Sequence, residues 1–324
     1  MTLYLSTFIS GAEPFIAKAL PSFIADAGNV AVSDGCVTYG TSGDIRDVIK
    51  VPFFNNSFKV LYQSRSRDLK AFIKTLTNAD IGFKPVKSFK VFCQVGGKLT
   101  HADGKAMAAL VDKISACSGG QFKSMNAAVQ FWIILRTDGS AYFLQRVTPD
   151  KGRLKQGQLR PELAAIMCLL SNPRPDDVFI DPFCGSGAIP LMRGKLAGYK
   201  GIFAADVSQE LAARLKARVK AMKGAKTKKS FFVKSQDFFT SDYSAGFFSV
   251  MVTDPPWGKF EEIPADFYPR FFQKAYEILS DGGRLVMLAA AGADIEKAAG
   301  KFKMMDAFNI LLNGQKAAVW VFRK

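Results

Sequence analysis

Apolar and polar positions along the 324-residue chain change their period several times, and each change marks an element. Near the amino terminus TLYLSTF reads as a strand, GAEPFIAKALPSFIADAG as a helix with a proline break, and GCVTYG as a second strand. IRDVIKVPFFNNSFKVLYQ predicts a short helix and another strand, with Asn55-Asn56 as a turn. RDLKAFIKTL has helical spacing of its apolar residues, and SFKVFCQV alternates as a strand before Gly96-Gly97. KAMAALVDKISACSGG predicts an amphipathic helix closed by glycine. AAVQFWIILRTDGSAYFLQRV predicts two strands joined at Thr137-Asp138-Gly139-Ser140. Past a helix beginning near Pro161, strands and helices alternate. A strand over 178–181 feeds AIPLMRGKLAG, GIFAAD feeds QELAARLKARVKAMKG, and SFFVKSQ and FFSVMV are further strands. FYPRFFQKAYEILS is a helix closed by Asp281-Gly282-Gly283, and GRLVMLAA a fifth strand. AFNILLNGQKAAVWVFRK reads as a closing hairpin about Asn313-Gly314. Such alternation predicts an α/β fold, a parallel sheet with helices on both faces.

Length changes this picture first: 324 residues exceed the size at which one core stops growing, so two domains are expected. Cys36, Cys93, Cys117, Cys168 and Cys184 form no Cys-x-x-Cys pair and there is one histidine, which argues against a metal site and suits a reducing compartment. MTLYLSTFISGAEPF lacks a basic leader and no apolar run approaches about 20 residues, so a soluble, cytoplasmic protein without membrane contact is expected, a monomer by default. The net charge of +16 predicts a polyanionic partner. It is unevenly placed: residues 51–100 carry nine basic and two acidic residues, whereas 251–300 carry five basic and eight acidic. A second basic run comprises Arg214, Lys216, Arg218, Lys220, Lys223, Lys226, Lys228 and Lys229 with no acid between. A solvated helix face would account for one such run.

Two motifs carry chemistry. In SVMVTDPPWGKF an apolar strand stops at Asp254-Pro255-Pro256-Trp257, placing a carboxylate, a stiff turn and an aromatic face at the carboxyl end of a strand. Ligands of open α/β sheets bind at that edge. Upstream, Val178–Asp181 breaks into Pro182-Phe183-Cys184-Gly185-Ser186-Gly187, where glycines let backbone approach a ligand. Position 190 is proline, so the third glycine of a dinucleotide fingerprint is missing.

Together these residues resemble the class I methyltransferases that use S-adenosylmethionine, and within them the Rossmann-like N-methyltransferases. The resemblance implies that Asp181, Phe183, Gly185 and Gly187 form the cofactor loop, that Asp206 with Val207 meets the cofactor ribose, and that Asp237 with Phe238 lies near the adenine. It makes Asp254, Pro255, Pro256 and Trp257 the catalytic motif, with Asp254 also facing the cofactor, and places Arg160 and Pro161 beside it, although many relatives have Asn-Pro there. The front half, with FISGAEPFIAKAL and DGCVTYG, resembles the ferredoxin-like piece and THUMP domain of tRNA methyltransferases. The implied layout is a ferredoxin-like piece over 1–60, a THUMP-like RNA-binding domain over 61–148, a linker over 149–160, and a Rossmann-like domain over 161–324. That last domain would carry a seven-stranded, mostly parallel sheet ending in an antiparallel hairpin. Lys84, Lys87, Lys90, Lys98 and Lys155 would contact RNA, recognised by shape and backbone. The implied activity is methyl transfer to the exocyclic N2 of a guanosine in the acceptor-stem region of tRNA. Adenine-N6 methylation of rRNA or DNA and a catalytically inactive nucleic-acid-binding protein remain open alternatives. Cys184 reads as a small residue in a tight turn rather than a nucleophile, and His101 as a solvated helix-entry residue.

Overall fold

A computed structural model describes residues 1–102, 104–150, 152, 158–222, 230–257, 262–291, 293–312 and 314–324. The chain divides into two compact units, Met1–Thr7 with Ile16–Lys151 and Phe8–Phe15 with Gly152–Lys324. Lys155, the basic residues Lys223, Lys226, Lys228 and Lys229, and Asn313 of the expected hairpin turn lie outside the described residues.

The first unit is built on a nine-stranded sheet. Its strands are β1 (Thr2–Thr7), β2 (Gly28–Ser33), β3 (Cys36–Thr41), β4 (Asn56–Arg65), β5 (Ser88–Val95), β6 (Lys98–Thr100), β7 (Gln121–Phe122), β8 (Val129–Leu135) and β9 (Ser140–Arg146). They run in the order β2-β3-β1-β4-β9-β8-β5-β6, with β7 beside β5. Helices α1 (Glu13–Ala19), α2 (Ile45–Lys50), α3 (Leu69–Asn78) and α4 (Gly104–Ser118) punctuate them. Phe72, Ile73 and Leu76 of α3 join Leu110 and Ile114 of α4 against Phe89, Phe131, Ile133 and Phe143 of the sheet, forming one core. No sheet boundary falls at residue 60: β4 pairs with β1 through Asn56–Lys59 and with β9 through Phe58–Arg65, so the two expected front pieces share one sheet.

The segment Phe8–Phe15, expected in the front piece, belongs to the second unit. The Leu311 N–H donates to the Ser10 carbonyl at 3.3 Å, and Ile9 joins Ile310 in the apolar core. Gly11 (φ +98°) lies so close that a Cβ there would sit 1.9 Å from the Asn309 carbonyl oxygen; only glycine fits.

The remaining elements are α5 (Pro161–Leu170), β10 (Val178–Asp181), α6 (Ala188–Leu196), β11 (Gly201–Asp206), α7 (Gln209–Ala221), β12 (Phe231–Ser235), β13 (Phe248–Thr253), α8 (Phe267–Ile278), β14 (Leu279–Ala290), α9 (Ile295–Ala298), β15 (Lys303–Leu312) and β16 (Gln315–Arg323). The sheet runs β12-β11-β10-β13-β14-β16-β15, seven strands as expected. β10 to β14 are parallel neighbours and β16 and β15 return antiparallel. The strands are apolar on both sides because both faces are covered: Phe179, Val250 and Val252 face one core with α5 to α7, and Ile180 and Met251 another with Phe271 and Phe272 of α8. Asp281-Gly282-Gly283 departs from expectation. It is not a stop after the helix but a bulge inside β14, where pairing with β13 jumps between Leu279 and Arg284 and Gly282 has φ +70°. Chain order reverses between β10 and β13, so the crevice at their carboxyl ends is the place for a ligand.

Candidate active site

Four strand ends build the site. β10 stops at Asp181 because Pro182 cannot continue the ladder, and the chain turns sharply. The Cys184 N–H donates to the Ala205 carbonyl at 2.9 Å, and the Gly187 N–H to the Cys184 carbonyl at 2.7 Å. Gly187 (φ +84°) opens α6, and a Cβ there would meet Leu215 Cδ1 at 2.3 Å. Gly185 instead faces open space, with nothing within 4 Å of where its Cβ would be.

β11 ends at Asp206, whose Oδ2 accepts from the Gly185 N–H at 2.8 Å and whose Oδ1 accepts from the Ser208 N–H at 2.9 Å. A carboxylate has about four lone-pair sites, so two remain for hydroxyl donors. Val207 beside it is 69% exposed, an apolar surface at the edge. Past β12, the Asp237 Oδ1 accepts from the Phe239 N–H at 3.0 Å. Here one expectation is corrected. The Phe238 ring is not at the edge; it is 1% exposed, packed against Phe183 and Phe271, because the turn after β12 carries it, with Phe239, into the aromatic cluster. Only its backbone remains for a ligand. The Phe183 ring belongs largely to the same aromatic cluster.

β13 delivers two neighbours. The Thr253 hydroxyl donates to Asp181 Oδ1 at 2.8 Å, and Asp254 follows at the strand end. Asp254 Oδ1 accepts from the Trp257 indole N–H at 2.9 Å, while Oδ2 has no hydrogen-bond partner among the described residues. The Trp257 ring packs partly on the apolar core, so it anchors the acid besides offering a face. Pro255 is buried and Pro256 exposed.

Charge at this edge is strained. Burial pushes the Asp181 carboxyl up to about 8, with the Asp254 and Asp206 charges adding to the rise against hydrogen bonds from Thr253 and Phe183. Asp181 Oδ2 is buried without a partner among the described residues. Burial pushes Asp254 up to about 7 against the Trp257 hydrogen bond. By surface area Asp254 keeps an exposed part at the sheet edge. Burial also drives the Cys184 thiol far up, so it is no thiolate nucleophile. Among the described residues no cluster could hold a metal ion.

Arg160 and Pro161 start α5: the Arg160 carbonyl accepts from Ala164 at 3.0 Å and Pro161 occupies the first turn. Their link to the cofactor rests on resemblance. Arg218 of the basic run donates to the Ser186 carbonyl at 2.6 Å, bringing the exposed cationic side of α7 against the glycine loop. Sequence reasoning missed Thr253 and Gln236, whose N–H donates to the Asp206 carbonyl at 3.0 Å. A hydroxyl closing an otherwise apolar strand was the available signal for Thr253.

The acids, the unpartnered oxygen and the open backbone at Gly185 suit a cationic ligand with ribose hydroxyls, which is what S-adenosylmethionine presents. Solved structures share the fold. TrmN from Thermus thermophilus matches with a TM-score of 0.83 and 18% identity over 100% of both chains. SMU.472 complexed with SAH matches with 0.72 and 15%, covering 99% of this chain and 97% of that one. A protein from Listeria monocytogenes str. 4b F2365, described as a predicted N6-adenine-specific DNA methylase, matches with 0.71 and 16% over 99% and 96%. No curated protein matches by sequence. Residues 151–317, over half of the chain, match the family model of the RMKL-like methyltransferase domain, UPF0020. The chain therefore belongs to that family, and is an S-adenosylmethionine-dependent methyltransferase of Rossmann-like class I fold.

Proposed function

We propose that the protein methylates the exocyclic N2 of a guanosine in tRNA, in the acceptor-stem region, with its first unit acting as a THUMP-like RNA-binding domain. The observation that carries this reading is Asp254: a carboxyl at the sheet edge, one oxygen fixed by Trp257 and the other without a described partner. When bound, S-adenosylmethionine supplies an electrophilic methyl on a sulfonium. An exocyclic purine amine is a poor nucleophile because its lone pair is delocalised into the ring. The Asp254 carboxylate and Pro255 carbonyl accept hydrogen bonds from that NH2, and these strengthen as positive charge develops on nitrogen. The prolines hold both acceptors in place, and the base leaves its helix to reach them.

An RNA partner is supported by the first unit's surface. Lys84, Lys87 and Lys98 are exposed, and Lys90 lies over the Phe92 ring at 4.6 Å. The Gln121 N–H to Lys87 carbonyl bond of 3.3 Å brings exposed Phe122, Lys123 and Met125 alongside. Guanine N2 is preferred over adenine N6 because of the THUMP-like resemblance; the description of the Listeria protein favours the adenine reading. Incubation of tRNA with labelled S-adenosylmethionine, then digestion and identification of the nucleoside, tests this: N2-methylguanosine is expected, and N6-methyladenosine or no labelled tRNA refutes it. Asp254→Ala should abolish methylation while leaving RNA binding intact.

A further inference from the structure

Tyr268 is a polar group that the chemistry so far leaves unused. It is the second residue of α8, and its position is fixed from two sides. The ring of its neighbour Phe267 packs 6.0 Å from Phe183 of the cofactor loop and 5.4 Å from Phe239, two residues past Asp237. The start of α8 is thereby held against the carboxyl edge of the sheet. Tyr268 itself is half-buried with its ring against Phe267, and its hydroxyl is fully shielded with no hydrogen-bond partner among the described residues. It lies within the electrostatic field of Asp254, which together with burial raises its pKa.

A shielded hydroxyl without a partner is costly and needs an explanation. The hydroxyl's place at the start of α8, on the sheet edge that carries Asp254, points to a partner that arrives with the substrate.

We propose that the Tyr268 hydroxyl is a second substrate-reading group, bonding the ring nitrogen that flanks the acceptor amine of the base held by Asp254. A phenol can do this for either purine, since it donates to an unprotonated ring nitrogen and accepts from an N–H. The inference rests on the reading of Asp254 as the residue facing that amine. A bond made to the base at reaction geometry fixes its rotation, and losing it costs orientation at the reacting nitrogen.

Tyr268→Phe tests this, because it removes one oxygen atom and keeps the ring. The expected result is a fall of about 10-fold in kcat/KM for tRNA, the value of one hydrogen bond. The KM for S-adenosylmethionine should stay within about twofold, and the melting midpoint should stay level or rise as an unpaired buried group disappears. Turnover within about twofold of wild type, or a loss accompanied by a lower melting midpoint and weaker cofactor binding, overturns the proposal. Asp254→Ala, assayed in parallel, separates the two readings. If it is inactive while Tyr268→Phe turns over normally, the tyrosine proposal alone fails; if it still methylates, both fail.

Discussion

Replacing Trp257 by phenylalanine isolates one hydrogen bond on Asp254, the acid proposed to receive the acceptor amine. The indole N–H donates to Asp254 Oδ1 at 2.9 Å and draws down a carboxyl that burial has pushed up to about 7. Phenylalanine keeps an aromatic ring against the core but has no donor. A hydrogen bond to a charged group contributes about 1.5–3 kcal/mol, and one pKa unit corresponds to about 1.4 kcal/mol. The variant's Asp254 should therefore titrate about 1–2 units higher. The ionised acid is the stronger acceptor for its one amine hydrogen, the other going to the Pro255 carbonyl, so kcat/KM, which reports the free enzyme, should rise with pH through this pKa. The wild-type ascending limb is expected near 7 and the variant's at about 8–9. At neutral pH the ionised fraction falls from about one half to between about one tenth and one hundredth, a loss of about 5–50-fold. At pH about 9 most of that loss should vanish. Methyl transfer from labelled cofactor to tRNA, measured from pH about 6 to 9.5, gives both profiles. A loss of the same size at every pH, or a limb that stays in place, refutes the idea that the indole tunes this acid.

Asp181, held up to about 8 by burial, keeps its proton in the folded state across a range where the unfolded chain has lost it. Its contribution to stability is therefore complete below about pH 4 and lost as pH rises to about 8, by at most about 6 kcal/mol; Asp181→Asn should flatten that decline in urea midpoints. Asp177→Ala should instead cost about 3–5 kcal/mol, because it leaves the buried Arg193 guanidinium unpaired. Gly187→Ala forces a Cβ to within 2.3 Å of Leu215 at φ +84°, so a melting scan should show a loss of about 1–3 kcal/mol with weakened cofactor binding. If the basic surfaces meet phosphate, tRNA affinity should fall with salt with a log–log slope of several units, whereas a flat response removes that role.

What the chain revealed in advance depended on how local each cause is. The alternation beyond Pro161 and the proline that ends β10 act within a few residues, so the parallel sheet and the strand-end acids were visible. The edge strand β2 was missed because it shows no apolar alternation; half of it is exposed and none of it is buried. Phe8–Phe15 was assigned to the wrong unit because its partners Asn309 to Leu311 are some 300 residues away in sequence. Gly282 was read as the end of a helix when it serves a bulge, since both need the same positive φ. Phe238, Trp257 and Tyr268 were misread or overlooked for a shared reason. Which way a side chain points after a strand ends is set by the turn and by the aromatic rings it meets, and no periodicity encodes that.

Two aspartates at the ends of β10 set the carboxyl edge of the sheet apart from the opposite one. Asp177 and Asp181 are each 1% exposed, so neither carboxyl is solvated by bulk water. At the amino end Asp177 is fully compensated: it accepts from the Arg174 N–H, the Ser249 hydroxyl and the guanidinium groups of Arg193 and Arg284, and its pKa is lowered despite burial. At the carboxyl end Asp181 receives one hydroxyl and one long backbone contact, has no ion pair among the described residues, and keeps one oxygen bare. The same chain could have supplied an arginine at either end. Leaving the cation out at one end destabilises the protein alone, and a ligand that carries positive charge would make the deficit good. A sulfonium with an ammonium group is such a ligand, so its binding should draw a proton off this edge. The proton release, read by calorimetry of S-adenosylmethionine binding in buffers of different ionisation heat near pH 7, should be present in the wild type and reduced in Asp181→Asn; equal release in both would place the compensating charge elsewhere.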